Sequence, residues 1–358
     1  MRTPGNEREQ QRRARSARIR AEFDDYEKAV TLISSLERWL VFKYGSDGEI
    51  APTLQHFDRF PRFDGLAPDF LARFVTGYRL CGEVVKTYRE ASQSSKDLDQ
   101  VVRYTRHLRD TSGAAGTKDV LLLVHPHTVE KAVADVAAAS KGEAAEARCQ
   151  CPVVVVSYMR EQRANGEWYD LKWWNLPGNS RFSHPNAVDA VGKQDLNDLL
   201  TTADHCPIRV DLSALDISVR NPFINDPPPP LYTVVKIVYP AINELLTEDE
   251  RDTLQTGGRV EKRISWKSLM SADCVAERAL PKGLIHAALD FLVKYDEARR
   301  VPGTDPPEYT VVLDERRIRR DLVDRLGRLA ASKYVAGLFR QKSRATKRAA
   351  RQQLSLWP

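Results

Sequence analysis

The spacing of apolar residues changes once along this chain, near Ser112-Gly-Ala-Ala-Gly-Thr117, and that change limits the folds open to it. Upstream, from Ala21 to about Asp110, Phe23, Tyr26, Val30, Ile33, Leu36 and Leu40, then Phe70, Phe74, Tyr78, Val84, Val85 and Tyr88, follow helical spacing, the pattern of a helix face turned to a core. Tyr44 to Gly65, with Gly45, Gly48, Pro52 and Pro61, reads as the main loop of this part. Downstream the pattern becomes short β-branched runs. Val120–Val124 reads as a buried strand, and Thr128 to Ala147 as an Ala-rich helix with Thr128 as N-cap and Glu130 in its first turn. Pro152–Arg160 and Glu167–Asn175 read as strands joined through Asn165-Gly166, a hairpin-turn signal, and Ile208–Val219 as a further strand region.

Asp226 followed by Pro227–Pro230 is a stiff segment suited to a domain boundary. Beyond it the sequence predicts a strand (Tyr232–Tyr239), a short helix near Ile242–Leu246, a helix from Pro281 to about Ala298, a strand (Tyr309–Leu313) and a long helix from Glu315 to about Gln341. The expected fold class is α+β and multidomain. It comprises a basic arm (1–20), a helical N-terminal domain (21–118), a mixed α/β middle domain (119–226), a C-terminal winged-helix-like α/β module with a basic helix (227–345), and a flexible, disordered tail (346–358). A length of 358 residues suits two or three such domains.

The formal charge of +6 is unevenly spread. Met1–Arg20 carries seven arginines against Glu7 and Glu9, about +5, and Arg316–Pro358 carries thirteen Lys and Arg against Asp321 and Asp324, about +11. The part between is therefore acidic, about −10. Cationic ends of this kind match a polyanion. Arg delivers bidentate contacts to phosphate, which makes Arg12, Arg13, Arg15 and Arg18 at one end, and Arg316, Arg317, Arg319, Arg320, Lys347 and Arg348 at the other, candidate nucleic-acid contacts. The apolar runs fall far short of the roughly 18–20 residues of a membrane helix, so no membrane partner is expected. The arginines of the N-terminus have no apolar stretch behind them, and five irregularly spaced cysteines suit a reducing compartment. These features predict a cytoplasmic, nucleoid-associated protein.

The chain ends Gln353-Leu354-Ser355-Leu356-Trp357-Pro358 after the polar, basic stretch Lys342–Arg351. Gln353–Trp357 resembles the pentapeptide with which bacterial polymerases, repair proteins and nucleases dock on the DNA polymerase III β sliding clamp, with Trp in place of the usual Phe. The resemblance implies that Gln353 fixes register while Leu354, Leu356 and Trp357 fill an apolar groove. Together with the basic ends, it predicts a bacterial DNA-associated protein of replication, repair or a mobile element such as a plasmid. Its expected partners are DNA and the clamp.

One segment carries a catalytic pattern. On a strand, Asp170 and Lys172 share a face. This resembles the acid-x-Lys half of PD-(D/E)xK nucleases, in which a second upstream acid completes a Mg²⁺ site. Asp119 or Glu161 would stand in for the upstream Pro-Asp, making the alternative reading a clamp-tethered, metal-dependent nuclease. Only that alternative calls for a cofactor, Mg²⁺. A third reading keeps the basic ends for nucleic acid within a defence complex. His125-Pro-His127 and Cys149-Gln-Cys151 have single-residue spacing, unlike most zinc sites, so no metal site is assigned. Gly257-Gly258 lacks the Lys-Ser/Thr of a phosphate-binding loop.

Overall fold

A computed structural model of the protein describes residues 4–44, 54–59, 61, 66–85, 91–107, 118–141, 149–183, 206–210, 227–272, 282–314 and 322–336. The chain is α+β and divides into two compact units. The first comprises Met1–Glu27, Leu215–Asn221 and Pro228–Pro358, the second Lys28–Ala214 and Pro222–Pro227.

The second unit is built on a seven-stranded sheet whose strands lie in chain order. They are β1 (Leu54–Asp58), β2 (Phe70–Phe74), β3 (Arg79–Val84), β4 (Lys118–Val124), β5 (Val153–Arg163), β6 (Gly166–Trp173) and β7 (Cys206–Arg209). β3, β4 and β5 are parallel, while β1-β2-β3 and β5-β6-β7 are antiparallel. Parallel neighbours need a crossover, and helices α2 (Ala91–His107) and α3 (Val129–Ser140) supply the two. Leu71, Cys81, Val120, Leu122, Val153 and Val155 form a core with Val101 and Tyr104 of α2 and Val133 and Val136 of α3. From the other face Tyr169 bonds helix α1 (Pro4–Tyr44): its hydroxyl lies 2.6 Å from Thr31 Oγ1 and donates to the Lys28 carbonyl at 3.0 Å. From Lys28 onward α1 therefore covers this side of the sheet, burying Leu32, Ile33, Leu36 and Leu40. The β5–β6 hairpin turns at Gly166, whose φ of 126° is open to Gly.

The first unit contains helix α4, which runs through Pro230–Thr233, a π turn at Val234–Val238, and Tyr239–Glu244. Pro240 explains the π turn, because its ring has no N–H and crowds the carbonyl four residues back. Then come α5 (Glu248–Gln255), β8 (Arg259–Ser265), α6 (Trp266–Met270), α7 (Lys282–Lys294), β9 (Ala298–Arg300), β10 (Glu308–Asp314) and α8 (322–336). The three strands form an antiparallel sheet of order β8-β10-β9. Aromatic contacts join α4 to the start of α1: the Tyr232 ring centroid lies 5.4 Å from Phe23 and 4.6 Å from Tyr26.

Several local expectations are corrected. Residues 4–20 belong to a helix rather than to a separate arm. Phe70–Phe74 and Arg79–Val84, read as helix, are strands buried on both faces, so they lack the alternation that marks a half-exposed strand. Tyr232–Tyr239, read as a strand, is helical. The boundary placed at 118 falls between β3 and β4, which pair in register in one sheet.

Candidate functional site

The antiparallel register of β2 on β3 sets Phe70 against Gly82. Beyond that last pair, Asp69 lies in the bend before β2 and Glu83 follows Gly82 on β3. Asp69 is buried, and its Oδ2 accepts from the Val84 amide at 2.8 Å, extending the ladder by a side chain where the strand pairing ends. Glu83 is held from α2: the Tyr104 hydroxyl donates to Oε2 at 3.1 Å and Gln100 Nε2 to Oε1 at 3.3 Å, and Gln100 also bonds Tyr104. Gln100 and Tyr104 are one helical turn apart, so one face of α2 braces one carboxylate. Burial and then the Glu83 charge push the Tyr104 hydroxyl well up, which keeps it a proton donor. The buried Cys81 thiol is also raised, by burial first and then by Glu83, Cys151 and Asp69, so both carboxylates act on one region.

Gly82 fits this register because a Cβ there would lie 1.9 Å from Cε1 of Phe70. The Phe70 ring, fully buried and stacked on Phe57 at 5.0 Å, occupies the space a side chain would need.

Two neighbouring carboxylates, each oriented by hydrogen bonds, suit a hard cation. Mg²⁺ is commonly held by one or two carboxylates, with water and substrate phosphate completing its shell. Asp69 and Glu83 could supply that pair. Among the described residues there is no group of three or more His, Cys, Asp or Glu side chains that could hold a metal ion.

Asp170 and Lys172 do share a face of β6, but their surroundings are structural. Asp170 is buried with Arg163 at 3.9 Å, and Arg163 also bonds Glu161 at 3.3 Å. A guanidinium thus lies between the two acids that the nuclease pattern would need around a metal. The Lys172 ammonium sits 4.5 Å from the Trp174 ring centroid, a cation–π contact. Asp119, the other substitute acid, is fully buried and accepts from Tyr78 (2.7 Å), Ser183 N (2.7 Å) and Ser183 Oγ (2.6 Å). By the registers, Glu83 aligns with Leu122 and Val155, whereas Asp170 aligns with Met159 on β5. Three strand spacings and four residues of rise separate the two places by on the order of 20 Å. Catalytic chemistry at Asp170 is therefore replaced by a candidate centre at Asp69 and Glu83.

The missed signal was local. Pro68-Asp69 precedes β2, and Glu83-Val84-Val85-Lys86 begins fourteen positions after Asp69. These are the Pro-Asp, acid and Lys of the pattern sought around Asp170, with Lys one position later than in the pattern. Lys86 lies outside the described residues.

The rings of His125 and His127 are 5.0 Å apart at the start of α3. Thr128 there directs its hydroxyl back to the His125 carbonyl (2.8 Å) instead of capping the helix. Burial, ahead of all other causes, raises the thiols of Cys149 and of Cys151, the latter to about 12, so neither is a thiolate at neutral pH.

Arg12, Arg13, Arg15 and Arg18 all lie on α1, with Arg12, Arg13 and Arg18 exposed. Arg316, Arg317, Arg319, Arg320, Lys347 and Arg348, and the pentapeptide residues Gln353, Leu354, Leu356 and Trp357, lie outside the described residues. No helix among the described residues is long and apolar enough to cross a membrane.

No family model, curated protein or solved structure matches this chain.

Proposed function

We propose that this is a DNA-associated protein that hydrolyses phosphodiesters at a metal centre formed by Asp69 and Glu83. The observation that carries the reading is the nearness of these two carboxylates where the β2–β3 pairing ends: Asp69 accepts from the amide of Val84, the neighbour of Glu83, and Tyr104 and Gln100 fix Glu83. A divalent cation held by them would polarise a phosphate oxygen and acidify a water. The chain's own contribution is positioning: Tyr104 and Gln100 orient Glu83, and the Val84 amide orients Asp69. Lys86 is the residue to stabilise charge on the phosphate.

Binding to DNA draws support from the first unit. Leaving α5 aside, its order α4, β8, α6, α7, β9, β10 and its sheet order β8-β10-β9 support reading it as a winged-helix-like module. Arg299 and Arg300 are exposed on β9, just before the turn that leads to β10. The exposed positions of α7 include Ala287, Asp290 and Lys294, which offer little chemistry for base edges. Contacts to phosphate, without sequence preference, fit this surface better. Docking on the sliding clamp through Gln353–Trp357 rests on sequence alone. It would place the protein in replication, repair or the biology of a mobile element, in the cytoplasm at the nucleoid.

Titration of the full chain with Mn²⁺ by calorimetry tests the centre. One site is expected, lost in Asp69→Asn and in Glu83→Gln and kept in Asp170→Asn; unchanged binding in all three refutes it. For the tail, a peptide of Arg344–Pro358 should bind purified clamp with micromolar affinity. Replacing Leu356 and Trp357 by Ala should abolish that binding, and equal binding by both peptides refutes the docking claim.

A further inference from the structure

The start of α1 and α8, some 300 residues apart in sequence, meet in the first unit. There the start of α1 and α8 run antiparallel. Arg20 pairs with Asp324, Gly327 comes so close to Ser16 and Ile19 that an added Cβ would lie 3.7 Å from Ser16 Oγ, and the Arg15 guanidinium covers the Tyr334 ring at 4.7 Å. Rising numbers on one helix match falling numbers on the other. A cavity of about 440 Å³ opens along this seam. Arg12, Arg13 and Arg20 line it from α1, Arg328 from α8, and Ser16 and Ser332 add hydroxyls.

The groove keeps a net positive charge, because three carboxylates, Glu9, Asp24 and Asp324, face its four guanidiniums. Glu9 lies 3.5 Å from Arg12 and 3.1 Å from Arg13, and Arg20 is shared by Asp324 and by Asp24, the latter at 3.5 Å. Arg328 is exposed and has no ion-pair partner among the described residues. Exposed ion pairs of this kind contribute little to stability, so the acids steer the guanidiniums without consuming them. Arg13 and Arg20 lie two helical turns apart, about 10.5 Å. That distance matches about three nucleotides of a duplex strand at roughly 3.4 Å each. Guanidiniums bind phosphate through paired N–H donors.

We infer that this seam is a phosphate-backbone groove, in which Arg12, Arg13, Arg20 and Arg328 grip one strand of DNA. The inference deepens the DNA-binding part of the proposed function and is independent of the metal centre. It makes the start of α1 and α8 two walls of one site.

The test uses the full chain carrying Glu83→Gln, in EDTA, so that cleavage plays no part. Binding to a fluorescein-labelled 25-base-pair duplex is followed by anisotropy between 50 and 200 mM NaCl. Arg12→Gln with Arg328→Gln, both exposed, should leave the circular dichroism and melting unchanged. Each phosphate contact contributes about 0.9 to the slope of log affinity against log salt. The pair should therefore flatten the slope by about 1.8 and weaken binding about 60-fold at 0.1 M salt. An unchanged slope in the double variant overturns the groove while leaving DNA binding elsewhere intact. Displacement of the duplex by tripolyphosphate at equal phosphate concentration also overturns it, in favour of a small polyanion. A Glu83 protein that binds DNA as stated, beside an unaltered protein that never cleaves it, refutes the metal centre and keeps the groove.

Discussion

Replacing Gly82 by Ala puts a methyl group 1.9 Å from Cε1, 2.0 Å from Cζ and 2.5 Å from Cδ1 of Phe70. These are overlaps, and a ring atom must move by more than an ångström to remove them. The ring has little freedom to do so, since Phe70 is fully buried and stacked at 15° on Phe57. Overpacking of a filled core costs about 1–3 kcal/mol, and overlap of this depth belongs at the upper end. Against it stands a gain of about 0.4–1 kcal/mol from the less flexible unfolded chain. The net loss is about 2 kcal/mol, or about 4–8 °C in the melting of a unit of this size. Scanning calorimetry of the variant reads this directly. Phe70→Leu should cost stability alone, yet make Gly82→Ala cheaper, a coupling of at least about 1 kcal/mol expected of residues in contact. The displaced ring sits next to Asp69 on the chain, so Mn²⁺ affinity should fall as well. A melting temperature that is unchanged or raised in Gly82→Ala refutes the packing argument and the reason given for glycine at this position.

Tyr104→Phe removes a donor to Glu83 while keeping the buried ring, so metal affinity should drop about 10-fold, as for other residues that orient a ligand, with less than about 1.5 kcal/mol lost in denaturant unfolding. In the first unit, Arg325 bonds the buried Glu297 at 2.6 Å, and Arg325→Met should cost about 3–5 kcal/mol by stranding a buried carboxylate, seen as earlier unfolding of that unit alone. Asp119 has its pKa raised by burial, against the opposing hydrogen bonds of Ser183 and Tyr78. The folded state therefore keeps the proton to a higher pH than the unfolded state, and stability falls as pH rises from the ordinary carboxylate range through the folded value. Asp119→Asn should flatten that slope in urea melts between pH 4 and 7. With their thiols raised, Cys149 and Cys151 should alkylate more slowly with iodoacetamide at pH 8 in the folded than in the urea-unfolded protein, as read by peptide mass mapping.

Strands β4, β5 and β6 were legible because β-branched runs and Asn165-Gly166 leave little choice of local structure. Strands β2 and β3 were not. A spacing of four, as in Phe70, Phe74 and Tyr78, places residues near one face of a helix and also on one face of a strand, so the interval does not discriminate. Burial on both faces then removes the alternation that would have decided it. In α4, Leu231–Tyr239 has strand-like composition, but packing of Tyr232 against Phe23 and Tyr26 overrides that propensity. The site was hidden for a related reason. Asp69 and Glu83 are fourteen positions apart, and only the hairpin that turns at Gly77 brings the two ends of β2 and β3 that carry them together. Asp170-x-Lys172 has the tighter local pattern, yet Arg163 and Trp174 occupy its two charges. Charge segregation, in contrast, was readable from residue counts, while the meeting of Arg12 and Arg328 along one seam needed three dimensions.

The central claim is that Asp69 and Glu83 form a metal-dependent phosphodiesterase centre. Its most direct test is cleavage of plasmid and linear duplex DNA by the full chain in Mg²⁺ or Mn²⁺, compared across Asp69→Asn, Glu83→Gln and Asp170→Asn. The account predicts EDTA-sensitive cleavage by the unaltered protein and by Asp170→Asn, with at least about 100-fold loss in the other two. Cleavage that survives Asp69→Asn and Glu83→Gln, or that disappears only with Asp170→Asn, contradicts it.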